Sequence, residues 1–106
     1  MKPLIKAMAK PATLTLKVYN DPGHGWIACR RSLLEQLGIL HKISSYSYQS
    51  PTGQTVYCEE DCDGSLLVDT LKARGFQVNY RQYHTNRQSR IRSNPRFKAT
   101  SVAQEI

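Results

Sequence analysis

The chain has 106 residues, the size of one ordinary domain, and its 40% of apolar residues can form a modest core, so it is not disordered as a whole. Fifteen Lys and Arg against eight Asp and Glu give a formal charge of +7, which favours polyanionic partners but does not specify a fold. Three cysteines are too few, and odd in number, for a disulfide-built secreted scaffold.

The ends and the hydropathy of the chain predict a cytoplasmic protein with free thiols. The basic N-terminus lacks the apolar run of a secretory signal. No segment approaches the roughly 20 apolar residues that a membrane-spanning helix needs. Residues 1–12 carry prolines and lysines without any period, and we interpret them as a loose N-terminal arm.

The first structural unit is predicted to be a β-hairpin followed by a helix. Residues 13–19 alternate between polar and apolar side chains, which is typical of a half-buried strand. Asn-Asp-Pro-Gly at 20–23 is a turn sequence, and Trp26–Cys29 resumes extended structure. The spacing of Ser32 and Glu35 predicts a capping box at the start of the helix.

The first helix is predicted to end at Gly38. Glycine suits the left-handed residue that follows a helix, and Leu34 and Ile39 have the spacing of the hydrophobic contact in a Schellman motif.

A second unit follows the same order. Strands are predicted at 43–50 and 54–58, with Tyr46 and Tyr48 on one face of the first, and a helix at 65–74. Asp61 or Asp63 is expected to cap that helix, and Gly75 to end it. A last strand, 76–80, points Phe76, Val78 and Tyr80 inward.

These elements predict an α+β fold in the order β-β-α-β-β-α-β. We expect a mainly antiparallel sheet of about five strands with both helices on one face. Residues 13–80 would form the domain. Residues 81–106 would form a basic C-terminal arm, either disordered or laid across the domain.

The stretch 56–65 concentrates four carboxylates and two cysteines at a junction between a strand and a helix. Helix capping is the preferred interpretation of the aspartates, and a hard cation such as Mg²⁺ is the alternative. Capping does not explain Glu59 and Glu60, so we predict that these two contact a partner.

Cys58 and Cys62 have a spacing that zinc allows, but one pair of cysteines without a second pair is a weak signal, and packing in the core is the preferred interpretation. No cofactor is expected.

The stretch Pro22–Trp26 places His24 between two glycines, beside a tryptophan. A tight hairpin with Trp26 anchoring the core is the preferred interpretation. A general base at His24 is the alternative.

The C-terminal stretch favours a nucleic-acid partner. Arginines can pair with phosphates while an interleaved aromatic side chain stacks on bases. A solvated tail, or one that pairs with the acidic stretch, is the other interpretation. The predicted nucleic-acid-binding residues are Arg81, Tyr83, Arg87, Arg90, Arg92, Arg96 and Lys98.

The ordered series PGHGW (22–26), LLEQLGI (33–39), ISSYSY (43–48), VYCEEDCD (56–63) and LKARG (71–75) resembles a family of small uncharacterised proteins of bacteriophages, plasmids and other mobile elements. The resemblance spans roughly residues 17–97. It implies an accessory protein in a bacterial cytoplasm and no particular activity.

Three functional hypotheses follow. The first is a non-enzymatic module whose basic arm binds nucleic acid or a nucleic-acid-bound host complex. The second is a protein inhibitor of a host defence enzyme that binds its partner through Tyr46, Tyr48, Glu59 and Glu60. The third is a metal-dependent nuclease that uses His24 and the acidic stretch. The sequence indicates no oligomeric state.

Overall fold

The computed structural model describes residues 12–99. Nearly all of the predicted N-terminal arm therefore lies outside the described residues, as do residues 100–106. The described chain forms one five-stranded, mostly antiparallel sheet and two helices, which confirms the predicted α+β class. No helix within residues 12–99 is long and apolar enough to cross a membrane.

The sheet has the strand order β3-β4-β2-β1-β5. Adjacent strands are antiparallel except β1 and β5, which are parallel because the second helix carries the chain back before β5 begins. The strands are β1 Thr13–Asn20, β2 Gly25–Arg30, β3 Tyr48–Gln49, β4 Thr55–Glu59 and β5 Gln77–His84; the helices are α1 Arg31–Gln36 and α2 Ser65–Ala73.

One face of the sheet, the helix face, carries the main core. Strand residues such as Leu16, Ile27 and Val56 share one buried cluster with Leu34 of α1 and Leu67 of α2. Both helices therefore pack on the same face, as predicted from the sequence.

The opposite face, called the tyrosine face, carries the aromatic side chains. Trp26 and Tyr48 form a second buried cluster there with Ile91, and Tyr19 and Tyr57 pack against it. Ile91 belongs to residues 85–99, a segment that runs back over this face and that we call the strap.

Both helices end as the sequence predicts. Gly38 has φ +74°, and the Ile39 N–H donates to the Leu34 carbonyl at 3.0 Å. Gly75 has φ +92°, and the Phe76 N–H donates to the Leu71 carbonyl at 3.1 Å. These are the long hydrogen bonds of Schellman motifs.

The predicted caps at the helix starts are wrong. Helix α1 begins at Arg31, so Ser32 lies inside it. The N-cap residue is Arg30, whose side chain makes no capping hydrogen bond. At the second helix the cap is Glu59 rather than an aspartate. Its carboxylate accepts from the N–H groups of Asp61 and Cys62, which open a short π-helical turn, Glu60–Gly64, leading into α2.

Strand β3 is much shorter than the predicted 43–50. The Asp63 carboxylate, 1% exposed, accepts hydrogen bonds from the Ser44 N–H and from the hydroxyls of Ser44 and Ser47. Residues 44–47 form a turn in which the Ser47 N–H donates to the Ser44 carbonyl, so only Tyr48 and Gln49 pair with β4.

Strand β5 is longer than predicted and continues past Tyr80 to His84. Because it is the edge strand, most of its side chains are exposed, and Tyr80, expected to point inward, is 43% exposed. Residues 85–99 pack against the domain and bury the side chains of Ile91 and Phe97. A cut after Tyr80 would therefore remove part of the sheet and of both clusters.

The Gly38→Ala variant is expected to lose about 1–2 kcal/mol of unfolding free energy. An added Cβ would meet no neighbour, so the cost comes from the left-handed backbone itself. Urea denaturation measures it. Ser32→Ala, at an exposed position whose side chain makes no cap, is the control and should change stability by less than about 0.5 kcal/mol. An equal effect of both substitutions would contradict the prediction.

Candidate functional site

Asp21 fastens the strap to the hairpin turn. Its carboxylate accepts from Arg92 Nε at 2.8 Å and Nη2 at 3.1 Å, and from the N–H groups of Gly23, His24 and Ser89 at 2.9 Å. The Arg92 guanidinium, together with these backbone donors, holds the pKa of the buried carboxyl far below its ordinary value, although burial opposes the shift. Asp21 is therefore a structural anchor for the strap.

Two arginines of the strap lie over aromatic rings. The guanidinium carbon of Arg92 is 5.2 Å from the Trp26 ring centroid, and that of Arg96 is 4.5 Å from the Tyr48 ring centroid. Arg96 also points Nη1 at the carbonyls of Ser45 and Tyr46, at 3.4 and 3.3 Å. These contacts hold the strap in place.

Beyond the strap, the tyrosine face stays open. Tyr83 of β5 stacks on Tyr19 of β1, with ring centroids 5.2 Å apart and an interplanar angle of 17°. Tyr57 meets Tyr19 edge-on at 6.4 Å. Tyr83 is 41% exposed, so part of its ring is available to a flat ligand.

Cations surround these tyrosines. Lys17 and Arg81 lie directly opposite each other in the pairing of β1 with β5. Each is two residues before the tyrosine of its strand, so all four side chains lie on the same face of the sheet. Arg87 and Arg90 line a cavity of about 500 Å³ beside Tyr19 and Tyr57. We name this surface the tyrosine platform: Lys17, Tyr19, Tyr57, Arg81, Tyr83, Arg87 and Arg90.

The platform has no carboxylate partners within residues 12–99. In that part of the chain Arg92 pairs with Asp21, and His24 Nδ1 lies 3.9 Å from Glu59 Oε2. The four cations of the platform are therefore available for an external anion.

A second cavity, of about 500 Å³, lies on the other side of the strap, and we call it the His24 pocket. Glu59 uses Oε1 for its cap and turns Oε2 toward His24 Nδ1, 3.9 Å away. The ring of Tyr46 borders the pocket and is 68% exposed. The lining comes from four separate parts of the chain: His24, Trp26, Tyr46, Tyr48, Glu59, Asp61, Cys62, Arg92 and Arg96.

The cysteines are not brought together as a metal pair. Cys58 is buried in the helix-face core, where a hydrogen bond with Cys29 and burial raise the pKa of its thiol. Cys62 is exposed beside the pocket, and the charge of Asp63 is the main cause of its raised pKa. Within residues 12–99 no group of three His, Cys, Asp or Glu side chains is arranged to hold a metal ion.

The predicted nucleic-acid-binding residues divide into two groups. Arg81, Tyr83, Arg87 and Arg90 are exposed and meet on the platform. The others do not join it. Arg92 pairs with Asp21, and the exposed Arg96 lies over the Tyr48 ring beside the other cavity. Lys98 is exposed, and its backbone N–H donates to Gln49 Oε1.

The predicted partner-binding residues also separate. Tyr46 is exposed, but Tyr48 is buried beneath Arg96, because the expected strand is replaced by turns. Glu59 caps the π-helical turn, and Glu60 lines a different groove, on the helix side.

Sequence reasoning missed Lys17, Tyr19 and Tyr57 as site residues. The alternation of β1 already places Lys17 and Tyr19 on the polar side of that strand. The pairing of β1 with β5, which brings Tyr83 onto Tyr19, has no local signal.

Comparison with known protein families, with curated proteins and with solved structures gave no match. The assignment of a function therefore depends on the geometry of the two sites.

Proposed function

We propose that the protein binds single-stranded nucleic acid on the tyrosine platform. The observation that carries the proposal is the partly exposed Tyr83–Tyr19 stack, surrounded by cations that have no carboxylate partner in the described chain. The ligand-binding surface is thus a face of the sheet together with the start of the strap, rather than a free C-terminal arm.

The chemistry of the platform suits an unpaired strand. A base stacked on a tyrosine contributes about 1–3 kcal/mol, and any base can do so because each has a flat face. In a duplex those faces are covered by neighbouring bases, so a single strand is the preferred ligand. Lys17, Arg81, Arg87 and Arg90 would pair with its phosphates.

The Tyr83→Ala variant is expected to bind a fluorescent oligouridine about 5- to 150-fold more weakly, the range that corresponds to one lost stacking contact. Fluorescence anisotropy measures the affinity. Tyr83 lies on the edge strand, so the loss of its stack on Tyr19 should cost no more than about 1.5 kcal/mol of stability, and thermal unfolding should show that the variant is still folded. Unchanged affinity in this variant would contradict the proposal.

The salt dependence tests the cations separately. Replacing Arg87 and Arg90 by glutamine should reduce the slope of log affinity against log salt by about 1.4, since each contact with a single strand contributes about 0.7. Lys72→Gln, at an exposed position on α2, removes one positive charge away from the platform and is the control. A slope change of about 0.7 in Lys72→Gln, the same per charge as in the double variant, would indicate nonspecific attraction alone.

Inhibition of a host defence enzyme is less well supported, because Tyr48 is buried and Glu59 has a structural role. The inhibitor hypothesis predicts a complex with a host protein that survives nuclease treatment. Binding of nucleic acid on the platform predicts instead that nuclease treatment releases any host protein that was captured with the nucleic acid.

A further inference from the structure

We propose that the His24 pocket holds one guanine base of a strand bound on the tyrosine platform. This inference rests on the proposed function and adds base preference to a surface that would otherwise accept any base. It depends on the acceptors, donors and stacking surface of the pocket, and on its position relative to the platform.

One wall of the pocket presents hydrogen-bond acceptors. Glu59 Oε1 already accepts from two backbone N–H groups, but Oε2 is 3.9 Å from His24 Nδ1, which is beyond hydrogen-bonding distance. The exposed Asp61 carboxylate stands beside it. Ionised carboxylates only accept, so they select a base with donors on its pairing edge. Guanine presents a ring N–H beside an amino group there, more donors than any other common base.

The remaining walls suit the rest of a guanine nucleotide. The exposed ring of Tyr46 offers a stacking surface, and a splayed-out base stacked on an aromatic side chain is a usual mode of single-strand recognition. His24 and Arg96 border the pocket and can donate to the guanine carbonyl oxygen or to the adjoining phosphate. The volume, about 500 Å³, lies in the range of small-molecule sites.

The pocket and the platform belong to one face of the sheet. Glu59, Trp26, Tyr19 and Tyr83 lie opposite one another on the consecutive strands β4, β2, β1 and β5. Three strand spacings separate Glu59 from Tyr83, or roughly 14 Å. A single strand can span this distance in a few nucleotides by crossing the strap, where Arg90 is exposed.

The test compares oligouridine that carries one central guanosine with the same oligouridine carrying adenosine, both by fluorescence anisotropy. The wild-type protein should prefer the guanosine oligomer by about 5- to 150-fold, the discrimination given by a good bidentate contact. Inosine, which lacks the amino group, should give an intermediate affinity. In Asp61→Asn the preference should fall toward one, with the affinity for plain oligouridine unchanged.

Matched variants separate the pocket from general charge effects. Glu35→Gln removes an exposed carboxylate from α1 and should keep the full guanosine preference. Tyr46→Ala should lower affinity for the guanosine oligomer without changing plain oligouridine binding. Thermal unfolding of each variant confirms that the fold is retained.

The outcomes distinguish the two proposals. Failure to bind any oligomer overturns the proposed function. Binding without guanosine preference, or a preference that survives Asp61→Asn, leaves the platform standing and overturns the guanine pocket.

Discussion

Replacing Asp21 by alanine should lower the free energy of unfolding by about 3 kcal/mol, the lower end of the range for removing one partner of a buried ion pair, because Asp21 is buried but Arg92 is partly exposed. The substitution leaves the Arg92 guanidinium without its counter-charge and removes the acceptor of three backbone N–H groups. The strap would then lose its anchor on the tyrosine face. Urea denaturation measures the change.

The control for Asp21 is Asp69→Ala, which removes an exposed carboxylate from α2. It should change stability by less than about 0.5 kcal/mol. A loss below 1 kcal/mol in Asp21→Ala would show that the strap does not depend on this ion pair.

The Asp21 contribution should also depend on pH with a defined sign. The folded-state pKa is strongly lowered, mainly by Arg92, so the contribution is fully present above the unfolded value of about 4. This stabilisation is lost as the pH falls from about 4 toward the pKa that Asp21 has in the folded protein. The stability difference between wild type and Asp21→Ala should therefore be constant from about pH 6 to 8 and shrink progressively below about pH 4.

The features that could be predicted from the sequence are those with short-range causes. Alternation of side chains located β1, the turn sequence at 20–23 located the start of β2, and Gly38 and Gly75 marked the helix ends, because each signal lies within or beside the element that it specifies. Strand alternation also placed Lys17 and Tyr19 on the side of the sheet opposite the main core. The α+β class follows from such local signals taken in order.

The features that could not be predicted depend on pairs of residues far apart in the chain. Asp21 and Arg92 are 71 positions apart, and no pattern near either one indicates the other. The His24 pocket likewise joins the first hairpin turn to the end of β4 and to the strap. An arginine-rich stretch looks the same in sequence whether it is solvated or packed on tryptophan and tyrosine, so the strap was open to both interpretations.

Asp63 shows how one long-range contact overrides a local pattern. The stretch 43–50 has the composition of a strand. The Ser44 N–H and the hydroxyls of Ser44 and Ser47 instead donate to the buried Asp63 carboxylate, and these charge-assisted hydrogen bonds are stronger than the neutral ones of a strand ladder. The Ser47 hydroxyl extends the network by accepting from the Glu59 N–H at 2.9 Å. Residues 44–47, which carry Tyr46, are thereby held beside the end of β4.

Replacing Asp63 by alanine should therefore cost about 3 kcal/mol or more in unfolding free energy, because two hydroxyls and one N–H lose their acceptor in or near the core. The same variant should lose amide-exchange protection at Ser44, whose N–H donates to Asp63 in the wild type. Asp61→Ala, which removes an exposed carboxylate two positions away, should leave both quantities nearly unchanged. If the Ser44 amide stays protected in Asp63→Ala, the loop that carries Tyr46 is held by its own turns instead, and the shortness of β3 needs another cause.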